Sequence, residues 1–250
     1  MNSEAGVYKE EALPKEQVDR IERLQTDYNA IDQYLRRELA AERASSFTSL
    51  LRAYSRVHPG WPDGDLLATL ADLRNAIVHG RTEPYGYVAV PTPEISRRLR
   101  ECRERLISPA RVDTTFQRRV QTVSADDSLG QVLKLIEETG YSQFPAYGNA
   151  RFGGLLTENG ITRWLAQHVT RTLSLVDLDD IPVKQVLQNE ENRVNYHFVA
   201  RATRVDDVTG LFASQPLLEG VLITENGRKS ETLIGIATRW DIMLRAPHGR

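Results

Sequence analysis

Three residues in one short stretch of the chain could handle a phosphodiester. In Leu73-Arg74-Asn75-Ala76-Ile77-Val78-His79-Gly80, Asn75 and His79 stand four apart and share a helical face, and Arg74 is turned roughly 100° from Asn75. Histidine moves a proton near neutral pH, arginine presents a fixed fork to phosphate oxygens, and an amide can orient an imidazole. A ribose 2′-hydroxyl would then be the available nucleophile. Arg74 and His79 lie roughly 140° apart on an ideal helix. They converge on one phosphate only if the helix loosens at Gly80 or a second copy of the chain completes the site, and a dimer is the simpler arrangement. A structural reading of the same residues stays open: Arg74 in an ion pair, Asn75 and His79 bonded to neighbouring backbone, and Gly80 as a C-cap.

A second constellation is written twice. Gly154-Leu155-Leu156-Thr157-Glu158-Asn159-Gly160-Ile161 returns as Gly235-Ile236-Ala237-Thr238-Arg239-Trp240-Asp241-Ile242. Upstream, Val123, Leu129, Val132 and Leu135 match Val199, Val205, Val208 and Leu211 at an offset of 76, so the unit is duplicated. A Thr closing a strand and an Asp on the next helical turn aim a hydroxyl, a carboxylate and free N–H groups at one small volume, which suits a ribose and a phosphate. Thr238, Arg239 and Asp241 make the fuller copy; the other has Thr157 but Gly160. One ligand per pair is the expectation, and helix capping alone is the alternative.

These residues need elements to position them. Pro14-Lys15-Glu16-Gln17 opens a core-facing helix with Val18, Ile21, Leu24, Tyr28, Ile31, Tyr34, Leu35 and Leu39 at spacings of three and four. A second runs from Ser46 to Val57, capped by Ser45-Ser46 and stopped by Pro59-Gly60. The third starts near Asp63-Gly64-Asp65 and reaches Gly80. Pro84 to Pro93 reads as irregular, and Pro93-Glu94 begins a fourth with Ile95, Leu99, Cys102 and Leu106 facing inward. Residues 13–107 therefore form an all-helical domain, with Ser108-Pro109-Ala110 as a hinge. Beyond it the pattern predicts strands at Val120–Val123, Gln143–Tyr147 and Gly154–Leu156, with helices at Leu129–Glu138 and Ile161–Val169. The second copy repeats the order from Phe198. Its hairpin, Val221-Leu222-Ile223-Thr224 to Leu233-Ile234, turns through Glu225-Asn226-Gly227, where Asn-Gly suits a tight turn. The fold class is α+β: an N-terminal helical bundle followed by a tandem α/β pair.

The duplicated half resembles a tandem pair of CBS domains, the adenine-nucleotide-sensing Bateman module, over roughly residues 112–246. The order of elements, the Gly140-Tyr141-Ser142-Gln143-Phe144-Pro145 approach and the two Gly-x-x-Thr junctions carry the likeness. It implies copies at about 112–170 and 181–246, and a regulatory ligand that is an adenine nucleotide (ATP, ADP or AMP) or a cyclic dinucleotide. In the family an Asp that binds ribose stands where this chain has Gly160. Arg74 with His79 at a helix end of a small helical domain resembles the HEPN family, whose members are often metal-independent ribonucleases acting as dimers. That likeness implies Arg74 on the phosphate, Asn75 as an orienting group, His79 as general acid or base, and RNA as substrate.

Composition sets the bounds. The chain has 250 residues, 40% of them apolar, and a formal charge of -2, which suits two cores and no bulk attraction to polyanions. A lone Cys102 allows no internal disulfide, and Met1-Asn2-Ser3-Glu4-Ala5-Gly6 lacks the character of a signal peptide. No apolar run approaches a membrane span, so a cytoplasmic homodimer without membrane or metal is the expectation. Arg97, Arg98, Arg100, Arg103 and Arg105 interleave with Glu94, Glu101 and Glu104 and read as a solvated face with four-apart pairs. His58, His168, His197 and His248 have no partner at useful spacing. Trp61, Trp164 and Trp240 read as packing residues, with Trp240 also placed to flank a base. The function these features imply is a nucleotide sensor controlling a dimeric helical domain, which the HEPN likeness makes a metal-independent ribonuclease; the alternative is a non-catalytic sensor or an oligomerisation scaffold acting through a protein partner.

Overall fold

The computed structural model describes residues 13–79, 87–116, 119–169, 177–190 and 194–245. The chain divides into two compact units, Met1–Pro109 and Ala110–Arg250.

The first unit is helical: α1 (Lys15–Glu38), α2 (Phe47–Val57), α3 (Gly64–His79) and α4 (Pro93–Ile107). Their starts are chemically marked. Ser46 accepts from the Ser49 N–H at 3.2 Å, and Thr92 accepts from Ile95 at 3.3 Å with Pro93 opening the first turn. Apolar faces at spacings of three and four close one core, in which Ile21, Ile31, Leu35, Tyr54, Leu67, Ile77, Leu99 and Leu106 are fully buried. Residues 80–86 lie outside the described residues, and with them Gly80 and its expected cap.

The arginines of α4 do not form one solvated face. Arg97 does pair along the helix with Glu94 and Glu101. Arg103, however, reaches the buried Asp27 of α1 at 2.6 Å, and Arg105 holds the buried Asp63 ahead of α3 at 2.6 and 3.0 Å. Two of the five thus join helices across the core edge, because a carboxylate left there unpaired would be costly.

In the second unit, α5 (Val112–Phe116) precedes two copies of one motif. The first is β1 (Val123–Ser124), α6 (Leu129–Thr139), β2 (Gln143–Gly148), β3 (Arg151–Thr157) and α7 (Glu158–Val169). A 3-10 turn (Leu178–Asp180) and α8 (Val183–Glu190) follow. The second copy is β4 (Tyr196–Ala200), α9 (Val205–Ser214), β5 (Gly220–Thr224), β6 (Gly235–Thr238) and α10 (Arg239–Arg245). Each copy makes a three-stranded sheet whose first pair is parallel and second antiparallel. The molecule is therefore a mixture of helix and sheet with a helical N-terminal part, as the sequence implies. The first strand is shorter than the expected Val120–Val123, because only Val123 and Ser124 pair with β2.

The tight turn falls in the other hairpin from the one expected. Between β2 and β3, Asn149 and Ala150 both have positive φ, 50° and 57°, the conformation that matches strand twist in a two-residue loop. In the second copy only Gly227 has positive φ, and the strand resumes at Gly235 rather than Leu233. There the carboxylate of Glu231 shapes a longer loop by accepting from the Asn226 N–H at 2.7 Å and its amide at 2.8 Å.

Core composition crosses the order of the chain. Val183 and Val186 of α8 are buried with Val123, Phe144 and Trp164 of the first copy. Val112 and Phe116 of α5 are buried with Val199, Val208 and Val221 of the second. The helix ahead of each copy thus completes the core of the other. Between the lobes Phe152, Leu155, Leu222 and Ile236 form a shared cluster, and Asn195, itself buried, donates to the Leu155 carbonyl at 3.1 Å.

Candidate functional site

At the β6–α10 junction the Thr238 N–H and hydroxyl both donate to one oxygen of Asp241, at 2.8 and 2.7 Å, and the Asp241 N–H returns to the Thr238 hydroxyl at 3.3 Å. This reciprocal box starts α10 and holds a carboxylate and a hydroxyl side by side. Both residues line a cleft of about 710 Å³. Its wall also carries Tyr141 and Ser142 from the turn after α6, Gln121 ahead of β1, and Trp240 and Met243 of α10. Trp240 is 65% exposed, so it is not a packing residue, and its indole is available to cover a planar ligand. Trp61 and Trp164 are buried core residues.

Arg239 lines the same cleft, and its guanidinium is engaged behind it. Its guanidinium donates to the carbonyls of Phe212, Gln215 and Leu218 at 2.8, 3.2 and 3.3 Å and lies over the Phe212 ring. It closes the C-terminal end of α9 and the loop into β5, satisfying carbonyls that the helix leaves unpaired.

The first copy has no equivalent box. Thr157 is buried, and its hydroxyl accepts from the Gly160 N–H at 3.0 Å as a helix cap. Beside it Glu219, from the strand entry of the second copy, accepts from Asn159 at 3.2 Å and lies 3.6 Å from Arg163. At this junction Gly160 stands where the second copy has Asp241, and Asn159, Arg163 and Glu219 line the same cleft as Thr238 and Asp241. Sequence reading missed Glu219, Asn159 and Arg163. Setting the copies side by side would have exposed the asymmetry, since Ser142 precedes the strand residue Gln143 where Glu219 precedes Gly220, and these strand residues pair equivalently, with Thr157 and Thr238.

In the helical unit Arg74 lies over the Tyr28 ring at 5.2 Å and donates to the Asn75 amide oxygen at 3.3 Å. Its Nε is buried without a hydrogen-bond partner, and no carboxylate pairs with it among the described residues. Burial first, offset by the Arg74 charge, pushes the Tyr28 hydroxyl up to about 12. Asn75 is exposed. The side chain of His79 lies outside the described residues. Of the other histidines, His168 stacks on Trp164 and its Nδ1 lies 2.8 Å from the Trp164 carbonyl, and His58 rests 4.4 Å from Tyr54. His248 is outside the described residues.

Among the described residues no group of His, Cys, Asp and Glu has the arrangement of a metal site, and no helix is long and apolar enough to cross a membrane.

Residues 113–167 match the CBS domain family model. That segment holds most of α5 and most of the first copy. Several solved structures share the likeness at low identity. A putative signal-transduction protein with CBS domains from Burkholderia ambifaria is 17% identical, over 54% of this chain and 88% of that one, with a TM-score of 0.41. The CBS domain of a membrane protein from Sphaerobacter thermophilus is 19% identical over 60% and 95%, with a TM-score of 0.44. A CBS domain pair solved with 5′-methylthioadenosine and S-adenosyl-L-methionine is 17% identical over 54% and 94%, with a TM-score of 0.42. No curated protein matches the chain.

Proposed function

We propose that this chain is a ligand-responsive regulatory protein. Its second unit binds an adenine nucleotide or a related adenosine compound beside Thr238 and Asp241, and its helical unit carries the output. The observation that supports this most directly is the Thr238–Asp241 box opening on a cleft of nucleotide size with an exposed Trp240 on its wall. A ribose hydroxyl would take the place of the Thr238 hydroxyl as donor to the carboxylate, and the base would lie against the indole. The CBS match at 113–167 and the internal repeat agree with a sensing role, and the adenosyl compounds bound by one similar domain pair set the ligand class to try first. Titrating ATP, AMP, a cyclic dinucleotide and S-adenosyl-L-methionine while following thermal unfolding tests it. A ligand at 100 times its Kd adds about 2.7 kcal/mol of stability. No shift with any of them at millimolar concentration overturns the reading.

A second reading concerns the helical unit: as a homodimer, it cleaves RNA without metal through Arg74, Asn75 and His79. It is favoured by Arg74 having no carboxylate to neutralise it among the described residues and a buried Nε without a partner, both suited to receiving a phosphate. RNA incubated with the protein in EDTA should yield cyclic-phosphate ends that His79→Ala abolishes. Intact RNA under every ligand condition removes ribonuclease activity and leaves the sensor acting through a protein partner.

A further inference from the structure

The second unit holds another cleft, about 1260 Å³, to which the Thr238–Asp241 turn contributes nothing. One wall is the tip of the first hairpin, with Arg151 and Phe152; the other is the Glu225–Ile234 loop, with Lys229; and Arg119 lines both this cleft and the one beside Thr238 and Asp241. All three cations are exposed. Among the described residues none of them has a carboxylate within ion-pair reach. The one acid in the lining, Glu231, is turned into its own loop, where it accepts from the Asn226 N–H, the Asn226 amide and the Arg228 N–H. That loop is consequently fixed, and it sets the Lys229 ammonium 5.4 Å from the Phe152 ring centre. The positive groups therefore converge from two separate hairpins on one concave space, in a chain whose formal charge is -2. A surface lysine and arginine serving only solubility need neither a shared cavity nor a carboxylate withdrawn from it.

We infer that this cleft is a second ligand site, independent of the Thr238–Asp241 box, that takes a phosphoanhydride chain through Arg151, Lys229 and Arg119. Three cations at a concave wall match the charge of linked phosphates better than that of a single one. The chain could be free polyphosphate or the tail of a nucleotide.

Calorimetric titration of the full-length protein with inorganic tripolyphosphate at low salt tests the site. Binding should persist in Asp241→Ala and fall about tenfold or more in Arg151→Ala/Lys229→Ala, the loss expected for removed charge-assisted contacts. Lys134→Ala, an exposed lysine elsewhere on the same unit, should bind as the unaltered protein does. Unchanged melting curves confirm that the double variant is folded, and Arg151→Glu, which keeps a long polar side chain, gives a second reading of the same wall. Competition by ATP but not adenosine assigns the chain to a nucleotide; tripolyphosphate binding that ATP does not displace assigns it to free polyphosphate. No heat at millimolar tripolyphosphate, equal affinity in the double variant, or loss of binding in Asp241→Ala overturns the inference.

Discussion

Asp241 does two things with one carboxylate, and they can be separated. As the acceptor for Thr238 it begins α10; as an anion facing the cleft it is the group a ribose would meet. Asparagine at this third helical position keeps an oxygen that can accept both Thr238 bonds but carries no charge. Asp241→Asn should therefore change stability by less than about 0.5 kcal/mol while weakening nucleotide binding about tenfold or more, whereas Asp241→Ala also loses about 1 kcal/mol of capping. Equal ligand-induced shifts in the unaltered protein and Asp241→Asn would show that the carboxylate does not meet the ligand. Glu231 makes a sharper statement about pH. The Asn226 N–H, then its side-chain amide, hold the carboxyl down at about 2 against an ordinary 4.5. A depressed value means the folded loop is favoured above the unfolded value and loses that support as pH falls from about 4.5 toward 2. Titrating the Asn226 and Arg228 amide resonances should give a midpoint near 2; a midpoint at 4 or above contradicts the bonded loop.

At the scale of elements, the glycines of the repeated junction prove to be packing devices. A Cβ on Gly235 would stand 2.5 Å from the Phe116 carbonyl, while one on Gly154 would meet the Leu187 side chain at 3.2 Å. Backbone cannot rotate away and a leucine can. Gly235→Ala should cost about 1–3 kcal/mol by forcing α5 off β6. Gly154→Ala should be close to neutral, the crowding offset by about 0.4–1 kcal/mol gained from a stiffer unfolded chain. Chemical denaturation of the two variants checks the contrast. The same pair shows what the sequence discloses. Helix faces such as Ile21, Leu24, Ile31 and Leu35 announce themselves because one core buries one periodic stripe, and the Thr–Asp turn is legible because its partners are three residues apart. Partners brought from far along the chain leave no local period. The exchange of α5 and α8 between lobes, the Arg103–Asp27 and Arg105–Asp63 ties, and the Glu219 bridge to Asn159 were therefore beyond a single-sequence reading. Arg239 lines the cleft beside Thr238, and the carbonyls that hold its guanidinium come from more than twenty residues away, so the sequence does not announce them.

Across the whole molecule, every residue assigned to either cleft lies within Ala110–Arg250, which has its own buried clusters. A fragment of residues 110–250 should then fold and bind nucleotide on its own, with any change in affinity from the full chain reporting the coupling to the helical unit. Isothermal titration of fragment and full chain makes the comparison, and a fragment that folds but fails to bind would place part of the site in the helical unit.

The route by which the chain enters this unit has a mechanical meaning. Immediately after the helical unit, the polypeptide is riveted to the lobe that holds Asp241: Val112 and Asp113 donate to the Thr203 and Arg201 carbonyls at 2.9 and 3.2 Å, and the Asp113 carboxylate accepts from Arg201 at 3.1 Å. The next turn rests on Gly235, three residues before Thr238 on the same strand. Gly235 and Thr238 thus share one strand, whose start bears the segment leading out of the preceding domain and whose end bears the hydroxyl facing the cleft.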